Sequence, residues 1–308
     1  MITKSGVRLG VALPQGFPDG EVDVERVHGF ARRAEALGFD DLWTIDQTTG
    51  RLAVIEPVTL LANVAAVTTR IRLGVAVIVL NLRNPVQLAK ALSSLDQLSS
   101  GRLTVGVGLG TNANAYPAFG IDREHRVSRF VDNLTVMRAL WTEKQADFDG
   151  RYFHLHGVAM EPKPVQQPLP LWFGARTEAA LRRAVRYGTG WMGAGSESAP
   201  DFLGELAIIR RVLAETGRPP GSFALSKRVY LATGPKPEAA LDGMRRWTGA
   251  FYGDPALADK WGIWGTPEEC VEKLGPLIEA GLDHILLNPV ADELEQIEII
   301  AADIAPKL

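Results

Sequence analysis

Short apolar segments alternate with amphipathic segments along almost the whole chain. Each short segment is rich in Val, Ile or Leu, and several are bounded by Gly or Pro, which is typical of a buried strand. Each longer segment repeats its apolar residues at helical spacing, and several end on a glycine. The predicted strands are Val7–Leu13, Phe39–Asp46, Ile71–Leu80, Arg102–Gly110, Leu169–Ala175, Thr189–Ala194, Phe223–Ala232 and Leu282–Val290. The predicted helices are Val24–Gly38, Glu56–Arg70, Asn84–Gly101, Arg123–Thr142, Thr177–Gly188, Asp201–Thr216, Thr266–Gly281 and Asp292–Ala305.

Eight strand–helix units in this order predict an α/β protein with a parallel sheet and right-handed crossovers. Eight units within 308 residues favour a closed (β/α)8 TIM barrel, which we expect to form one domain over residues 1–308. Insertions are expected after strand 4 (about 110–122), before strand 5 (143–167) and after strand 7 (about 248–265). Because barrel enzymes bind their ligands at the carboxyl ends of the strands, the candidate site residues are sought there.

Composition excludes several classes of function. A formal net charge of -3, without a basic run, argues against nucleic acid or an anionic membrane as a partner. The single cysteine, Cys270, allows no internal disulfide and no cysteine-based metal cluster, which fits a reducing compartment. We find no secretory leader and no apolar stretch near the length of about 20 residues that spans a bilayer. A cytoplasmic protein acting on a small molecule is therefore expected.

Gly108, Gly110 and Ala113 match the G-x-G-x-x-G/A fingerprint of dinucleotide-binding folds. That fold needs the fingerprint after its first strand and directly before a helix. Here three strand–helix units precede it, and the segment that follows contains Pro117 and Gly120. The glycines therefore either let a flat ligand approach the backbone closely or pack tightly inside the barrel.

Other polar residues lie where predicted strands end. Asp46 follows strand 2 and is either catalytic or a hydrogen-bond anchor for a loop. Thr177 is placed to cap the helix after strand 5, whose free amides, beside Arg176, suit an anion; an ordinary capped helix is the alternative. His154 and His156 have metal-site spacing, but they lie in an insertion that we predict to be a surface hairpin, so no metal is expected.

Four stretches together resemble the luciferase-like monooxygenase superfamily, in particular its branch of deazaflavin (coenzyme F420)-dependent oxidoreductases. They are "ARRAEALGFDDLWTID", "RIRLGVAVIVLNLRNPVQLAKALSSLDQLSSGRLTVGVGLG", "DGRYFHL…PKPVQQPLPLWFGARTEAALRRAVRYGTGWM" and "WGTPEECVEKLGPLIEAGLDHILLNPV". The resemblance implies a barrel whose strand ends hold a flavin or deazaflavin ring, and a non-prolyl cis peptide with a bulge in strand 3, at Ala76–Val77. It also implies a homodimer.

The resemblance assigns candidate cofactor contacts position by position. Together with the glycines and the helix start described above, the candidate cofactor-binding residues are Ala76, Val77, Gly108, Gly110, Thr111, Asn114, Gly174, Ala175, Arg176, Thr177, Gly193 and Ala194. Asp46 and Gln47 are the candidate catalytic residues. An aromatic segment supplies the candidate substrate-binding residues, as a lid or wall, with a packed insertion as the alternative: Phe251, Tyr252, Trp261 and Trp264.

Three departures from the family pattern shape the predicted chemistry. Many F420-dependent members have Asp-His where this chain has Asp46-Gln47, and the sugar-phosphate dehydrogenases have a glutamate in the column of Thr111. Both differences argue against sugar-phosphate dehydrogenation. The luciferases proper have an FMN-phosphate arginine in the column of Leu109, which favours F420 over FMN. We therefore predict hydride transfer between F420 and an organic substrate, with an FMN-dependent two-component monooxygenase and a non-catalytic flavin-binding barrel as alternatives.

Overall fold

The computed structural model describes residues 3–50, 52–110, 113–219 and 221–308. Its strands are β1 (Arg8–Ala12), β2 (Gly16–Phe17), β3 (Asp41–Thr44), β4 (Ala53–Val54), β5 (Arg72–Val79), β6 (Leu103–Gly108), β7 (Ala146–Asp149), β8 (His154–Val158), β9 (Leu171–Phe173), β10 (Gly190–Gly193), β11 (Ala224–Thr233), β12 (Gly262–Gly265) and β13 (His284–Pro289). Its α-helices are α1 (Val24–Leu37), α2 (Pro57–Ala65), α3 (Pro85–Leu98), α4 (Arg126–Thr142), α5 (Glu178–Tyr187), α6 (Ala199–Glu215), α7 (Pro237–Tyr252), α8 (Leu257–Trp261), α9 (Pro267–Glu279) and α10 (Glu293–Ile299). Short 3₁₀ or π-helical turns follow β5, β6 and α10.

The main sheet is a closed parallel barrel. Its strand order is β10-β9-β6-β5-β3-β1-β13-β11, and a further pairing between β10 and β11 closes it. These are the eight strands that the sequence predicts, so the predicted (β/α)8 barrel is confirmed. Strand β12 adds a ninth strand beside β11, and two small antiparallel pairs, β2–β4 and β7–β8, stand apart from the barrel sheet.

The chain divides into two compact units. The first contains Met1–Pro14, Asp23–Trp43 and Trp172–Leu308, and the second contains Gln15–Val22 and Thr44–Leu171. No helix of the described residues is both long and apolar enough to cross a bilayer.

Local sequence signals set several helix ends. Asp23 caps α1 by accepting a hydrogen bond from the Arg26 amide, and Gly38 ends the same helix in the left-handed conformation. Helix α2 stops at Ala65, whereas the apolar spacing predicts a helix as far as Arg70. The guanidinium of buried Arg102 donates to the carbonyls of Ala65, Thr68 and Ile71, so it stabilises a loop where the helix was expected to continue.

Two insertions differ in how well the sequence describes them. The hairpin predicted before strand 5 is confirmed as β7–β8. The segment near 248–265, predicted only as an insertion after strand 7, holds the end of α7, all of α8 and strand β12. Gly249 and Pro255 interrupt the apolar spacing there, and β12 has only four residues, so neither pattern was long enough to recognise.

A buried polar cluster lies at the amino ends of β3 and β13, within the first unit. The Asp41 carboxylate accepts hydrogen bonds from Trp43 Nε1 and from His284 Nε2, the latter at 2.9 Å. His284 Nδ1 lies 2.7 Å from Ser226 Oγ, and His284 is fully buried. Burial acts to raise the pKa of Asp41, but the attraction and hydrogen bond of His284 and the Trp43 hydrogen bond outweigh it, so this pKa is lowered. A Cβ on Gly10 would lie 2.0 Å from Asp41 Oδ1, so only glycine leaves room for the cluster.

Candidate active site

The end of strand β5 has the backbone geometry that the resemblance implies. The Ala76–Val77 peptide is cis, and the pairing of β5 with β6 shifts register between Val75 and Ile78. Gly106 of β6 faces this bulge, where a Cβ would lie 2.1 Å from the Val75 carbonyl oxygen. The bulge and Gly106 therefore require each other, and the prediction of a bulged cis peptide at this position is confirmed.

Asp46 ties the end of β3 to the end of β5. Its Oδ2 accepts a hydrogen bond from the Val79 amide at 2.9 Å, and its Oδ1 lies 2.7 Å from Arg83 Nη2. The Asp46 side chain has no exposed surface, and Thr48 Oγ1 donates to the same Oδ1. Both carboxylate oxygens are thus engaged by the protein, which supports the loop-anchoring interpretation of Asp46.

Gln47 differs from its neighbour Asp46. Its side chain is half-buried and packs against Gly50. Within the described ranges, its carboxamide makes no hydrogen bond to another residue. Gln47 is therefore the one of the two candidate catalytic residues whose polar atoms are available to a ligand.

The loop after β6 is held by buried polar side chains that the sequence analysis missed. Tyr116 donates its hydroxyl hydrogen to the Leu109 carbonyl, and Asn81 donates to Tyr116 and to the Arg126 carbonyl. Gly108 ends β6 opposite Val79, and Gly110 has a positive φ beside the Val79 side chain. These contacts place the glycine string next to the bulged end of β5, within the second unit.

Two predicted cofactor contacts in this loop stay predictions. Thr111 lies outside the described residues. Asn114 belongs to the 3₁₀ turn Ala113–Phe119, but its side chain is not among the described ones.

The turn after β9 begins helix α5. Thr177 is the N-cap residue, as predicted, but its side chain makes no capping hydrogen bond. The Ala175 carbonyl accepts a hydrogen bond from Trp191 Nε1 at 2.8 Å, which fixes this turn against β10. Gly174 and Thr177 flank this fixed turn, and the Arg176 side chain is half-exposed beside it.

A charged cluster lies behind this turn, in the first unit. Lys227 Nζ donates to Glu197 Oε1 at 2.9 Å and to the carbonyl of Ala194. Arg176 Nε lies 3.3 Å from Glu197 Oε2 and 3.4 Å from Glu205 Oε1. The Glu197 side chain is fully buried and that of Lys227 nearly so. The cluster thereby connects the turn after β9, through Arg176, with the turn after β10, through Ala194.

Burial and the charge of Glu197 raise the pKa of Glu205 to about 8. Burial lowers the pKa of Lys227, and the charge of Glu197 opposes that change. At neutral pH the Glu205 carboxyl is therefore mostly protonated.

Replacement of Glu205 by Gln is expected to make the protein more stable at high pH. The pKa of Glu205 is higher in the folded protein than its ordinary value of 4.5, so its stabilising protonation is complete below pH 4.5 and is lost as pH rises to about 8. Because Gln stays neutral, the free energy of unfolding of Glu205→Gln should exceed that of the wild type by about 1–2 kcal/mol at pH 9 and by less at pH 6. Urea unfolding at both pH values measures this difference.

Glu215→Gln is the matched control, because Glu215 is an exposed member of surface ion pairs with Arg182 and Arg211. Its effect should change little between pH 6 and pH 9. A Glu205→Gln effect equal at the two pH values would contradict the raised pKa.

The aromatic segment after β11 forms one packed cluster. Trp247 stacks on Phe251 at 5.1 Å between ring centroids, and Tyr252 packs edge-on against Trp261 at 5.2 Å. Tyr230 of β11 hydrogen-bonds to the Tyr252 hydroxyl, and burial raises the pKa of Tyr252. Three of the four predicted substrate-binding residues thus lie together.

The fourth predicted substrate-binding residue, Trp264, packs on the hydrophobic cluster beneath these rings, with Lys273 Nζ 4.2 Å from its ring centroid. Tyr252 stays partly exposed, with 37% of its surface accessible. The packed interpretation therefore has direct support, and contact of this segment with a substrate stays a prediction.

The remaining histidines and the cysteine have local partners. His154 and His156 are exposed on β8, and His154 pairs with Asp149 of β7. Among the described residues, no three His, Cys, Asp or Glu side chains are grouped as metal ligands. Cys270 is fully buried, and burial raises the pKa of its thiol to about 11.

The parallel eight-stranded barrel with a bulged cis peptide in its third strand has the arrangement that the family resemblance implies. The chain belongs to the luciferase-like monooxygenase family, whose model it matches over residues 7–262. It is 28% identical over 278 residues to an F420-dependent glucose-6-phosphate dehydrogenase of Nocardia farcinica, with 80% of this chain and 82% of the relative covered.

Solved structures confirm the barrel. The monooxygenase RslO1 from Streptomyces bottropensis superposes with a TM-score of 0.84 at 23% identity, covering 96% of this chain and 98% of that one. An F420-dependent secondary alcohol dehydrogenase, solved with an F420-acetone adduct, also gives a TM-score of 0.84, at 22% identity, covering 99% and 98%.

Proposed function

We propose that this protein is an oxidoreductase that exchanges hydride between coenzyme F420 and an organic substrate. The observation that carries the proposal is the similarity to F420-dependent dehydrogenases over about four-fifths of both chains. The family name and the fold shared with RslO1 keep an FMN-dependent monooxygenase as the second candidate.

The described residues fit a flat cofactor with an anionic tail. Gly106 lets the bulge of β5 pack closely against β6, and Gly108 ends β6 opposite Val79. Gly174 and Thr177 border a helix start whose free amides suit a phosphate, and Arg176 adds a positive charge there. The residues at the ends of β5 and β6 are therefore our candidates for contact with the ring, and those of the turn after β9 are our candidates for contact with the phosphate.

When bound, the deazaflavin supplies the hydride acceptor or donor, and this chain supplies orientation and exclusion of water. Asp46 holds the Val79 amide and thereby the end of β5 in place. Gln47 offers a carboxamide that can accept or donate a hydrogen bond at the ring edge or at the substrate. The half-exposed guanidinium of Arg176 beside the turn after β9 favours the phosphate.

Titration of the purified protein with F420 and, separately, with FMN tests the proposal. We expect F420 to bind in the micromolar range and FMN at least tenfold more weakly, as measured by cofactor absorbance. Reduction of bound F420 by an organic donor excludes the non-catalytic alternative. Tighter binding of FMN than of F420 would replace the proposal with the monooxygenase candidate.

Replacement of Arg176 by Met is expected to weaken F420 binding about 5- to 10-fold, because a charge-assisted contact to the phosphate is lost. The same titration measures the change. Arg182→Met is the matched control, since Arg182 lies in α5 but pairs with Glu178 and Glu215 on the surface. An equal loss in both variants would show that Arg176 does not contact the phosphate.

We also propose that residues 1–308 act as one barrel domain, and that the enzyme is a cytoplasmic homodimer. The continuous strand order supports the single barrel, and the family resemblance supports the dimer. Light scattering on the purified protein tests the dimer through its mass, for which a protomer of 33.4 kDa is the reference.

A further inference from the structure

Arg228 lies on the inner face of β11. Side chains alternate along a strand, so Arg228 shares its face with Ser226 and Tyr230, both of which are buried. Ser226 belongs to the buried cluster with His284, which places this face of β11 towards the polar interior of the first unit. Arg228 itself is only half-buried, so a ligand can reach it.

The guanidinium of Arg228 is held in place by an amide and an aromatic ring. Its Nε and Nη2 both donate to Asn288 Oδ1, with 3.2 Å from Nε. Its Cζ lies 5.1 Å from the Tyr230 ring centroid. Asn288 Nδ2 donates to the Pro289 carbonyl at 3.0 Å, which fixes the amide with its oxygen towards Arg228.

No carboxylate of the described residues pairs with this cation. Throughout 3–50, 52–110, 113–219 and 221–308, no Asp or Glu oxygen lies within 4.0 Å of it, and Nη1 has no hydrogen-bond partner. The titratable groups nearby are the hydroxyls of Tyr230 and Tyr252, which bond to each other, and the interior group on β13 is His284.

We propose that the substrate carries a carboxylate and that Arg228, positioned by Asn288, binds it. A half-buried cation without a partner is unfavourable, and a planar guanidinium matches a carboxylate with two parallel hydrogen bonds. Tyr230 and Asn288 are register partners near the carboxyl ends of β11 and β13, the end at which barrel enzymes bind substrate. The inference rests on the proposed function in one respect, namely that the carboxylate bound by Arg228 belongs to the substrate.

Matched pairs of small probes test the inference on the protein without cofactor. The pairs are benzoate and benzamide, phenylacetate and phenylacetamide, and butanoate and butanamide, with inorganic phosphate as a separate anion. Ligand-observed NMR titration gives each dissociation constant. For the wild type we expect the carboxylate to bind at least tenfold more tightly than its amide in one or more pairs, and phosphate to bind more weakly than that carboxylate.

Two variants remove the site in different ways. Arg228→Met deletes the cation, and Asn288→Asp leaves Arg228 in place but supplies an internal carboxylate. In both variants the dissociation constants of a carboxylate and its matching amide should lie within twofold of each other. Asn288→Asp keeps the test possible if Arg228→Met fails to fold. Arg32→Met, at an exposed position of α1, is the charge-matched control and should keep the wild-type ratio.

The outcomes separate this inference from the proposed function. It is overturned if the wild type prefers no carboxylate, if phosphate binds best, or if the Asn288→Asp variant keeps the preference. A carboxylate preference that both variants lose, in a protein that never reduces F420, supports the anion site and refutes the proposed function. Turnover of F420 with neutral alcohols alone, in a protein that shows no carboxylate preference, supports the proposed function and refutes the anion site.

Discussion

Replacement of His284 by Leu is expected to lower the free energy of unfolding by about 3–5 kcal/mol, because it leaves the Asp41 carboxylate buried without the imidazole that hydrogen-bonds to it. In the wild type, His284 Nε2 donates to Asp41, and the pKa of Asp41 is lowered despite its burial. In the variant that pKa should rise, so the loss of stability should be smaller at pH 5 than at pH 8. Urea unfolding at the two pH values measures both effects.

Two further variants test the reason for this loss. Ser226→Ala removes only the hydroxyl next to His284 Nδ1 and should cost about 1 kcal/mol. The double variant Asp41→Leu with His284→Leu removes the buried charge altogether and should be more stable than His284→Leu alone. A cost below 1 kcal/mol for His284→Leu would show that Asp41 is already protonated in the folded protein.

Replacement of Asp46 by Ala is expected to lower kcat/KM at least 100-fold, with only a modest loss of stability. The Val79 amide and Arg83 would lose their acceptor, and the end of β5 that we assign to the cofactor ring would no longer be fixed. Steady-state kinetics with F420, together with the F420 dissociation constant, measure the effect.

Asp46→Asn separates a positioning role from acid–base chemistry. Asn keeps an acceptor for the Val79 amide, so a positioning residue should recover most of the activity, to within about tenfold of the wild type. Arg83→Met should resemble Asp46→Asn, and the double variant should add little, because both changes break the ion pair between Arg83 and Asp46. Arg83→Met also removes the ion pair with Glu56, whose side chain is partly exposed. Equal inactivity of Asp46→Asn and Asp46→Ala would instead show that Asp46 transfers a proton.

The sequence predicted the barrel because its signals are local and repeated. Each strand is a short apolar run, and cap residues such as Asp23, Gly38 and Asn84 mark helix ends directly. The bulged peptide at Ala76–Val77 was predicted from family resemblance alone, since nothing in the local pattern distinguishes these two residues. Strand β12 was missed because it has only four residues, and no helix was predicted over Pro237–Tyr252, which forms α7.

The polar clusters were beyond the reach of sequence because their members are far apart in the chain. Asp41 and His284 are separated by 243 residues, and Lys227 and Glu197 by 30. Each of these residues by itself is typical of a surface position or a strand end, and only the register of the barrel strands pairs them. Arg228 illustrates the same point, since its lack of a counter-ion is a property of its neighbours in space.

The buried thiol of Cys270 makes this chain a ready background for site-specific dye labelling. With no exposed surface and a pKa near 11, the thiol is almost entirely protonated at neutral pH and should not react with maleimides. A cysteine introduced at exposed Leu98 would label the second unit, and one at exposed Leu294 the first. The fluorescence of a dye at either position would then report on F420 binding, without removal of a native residue.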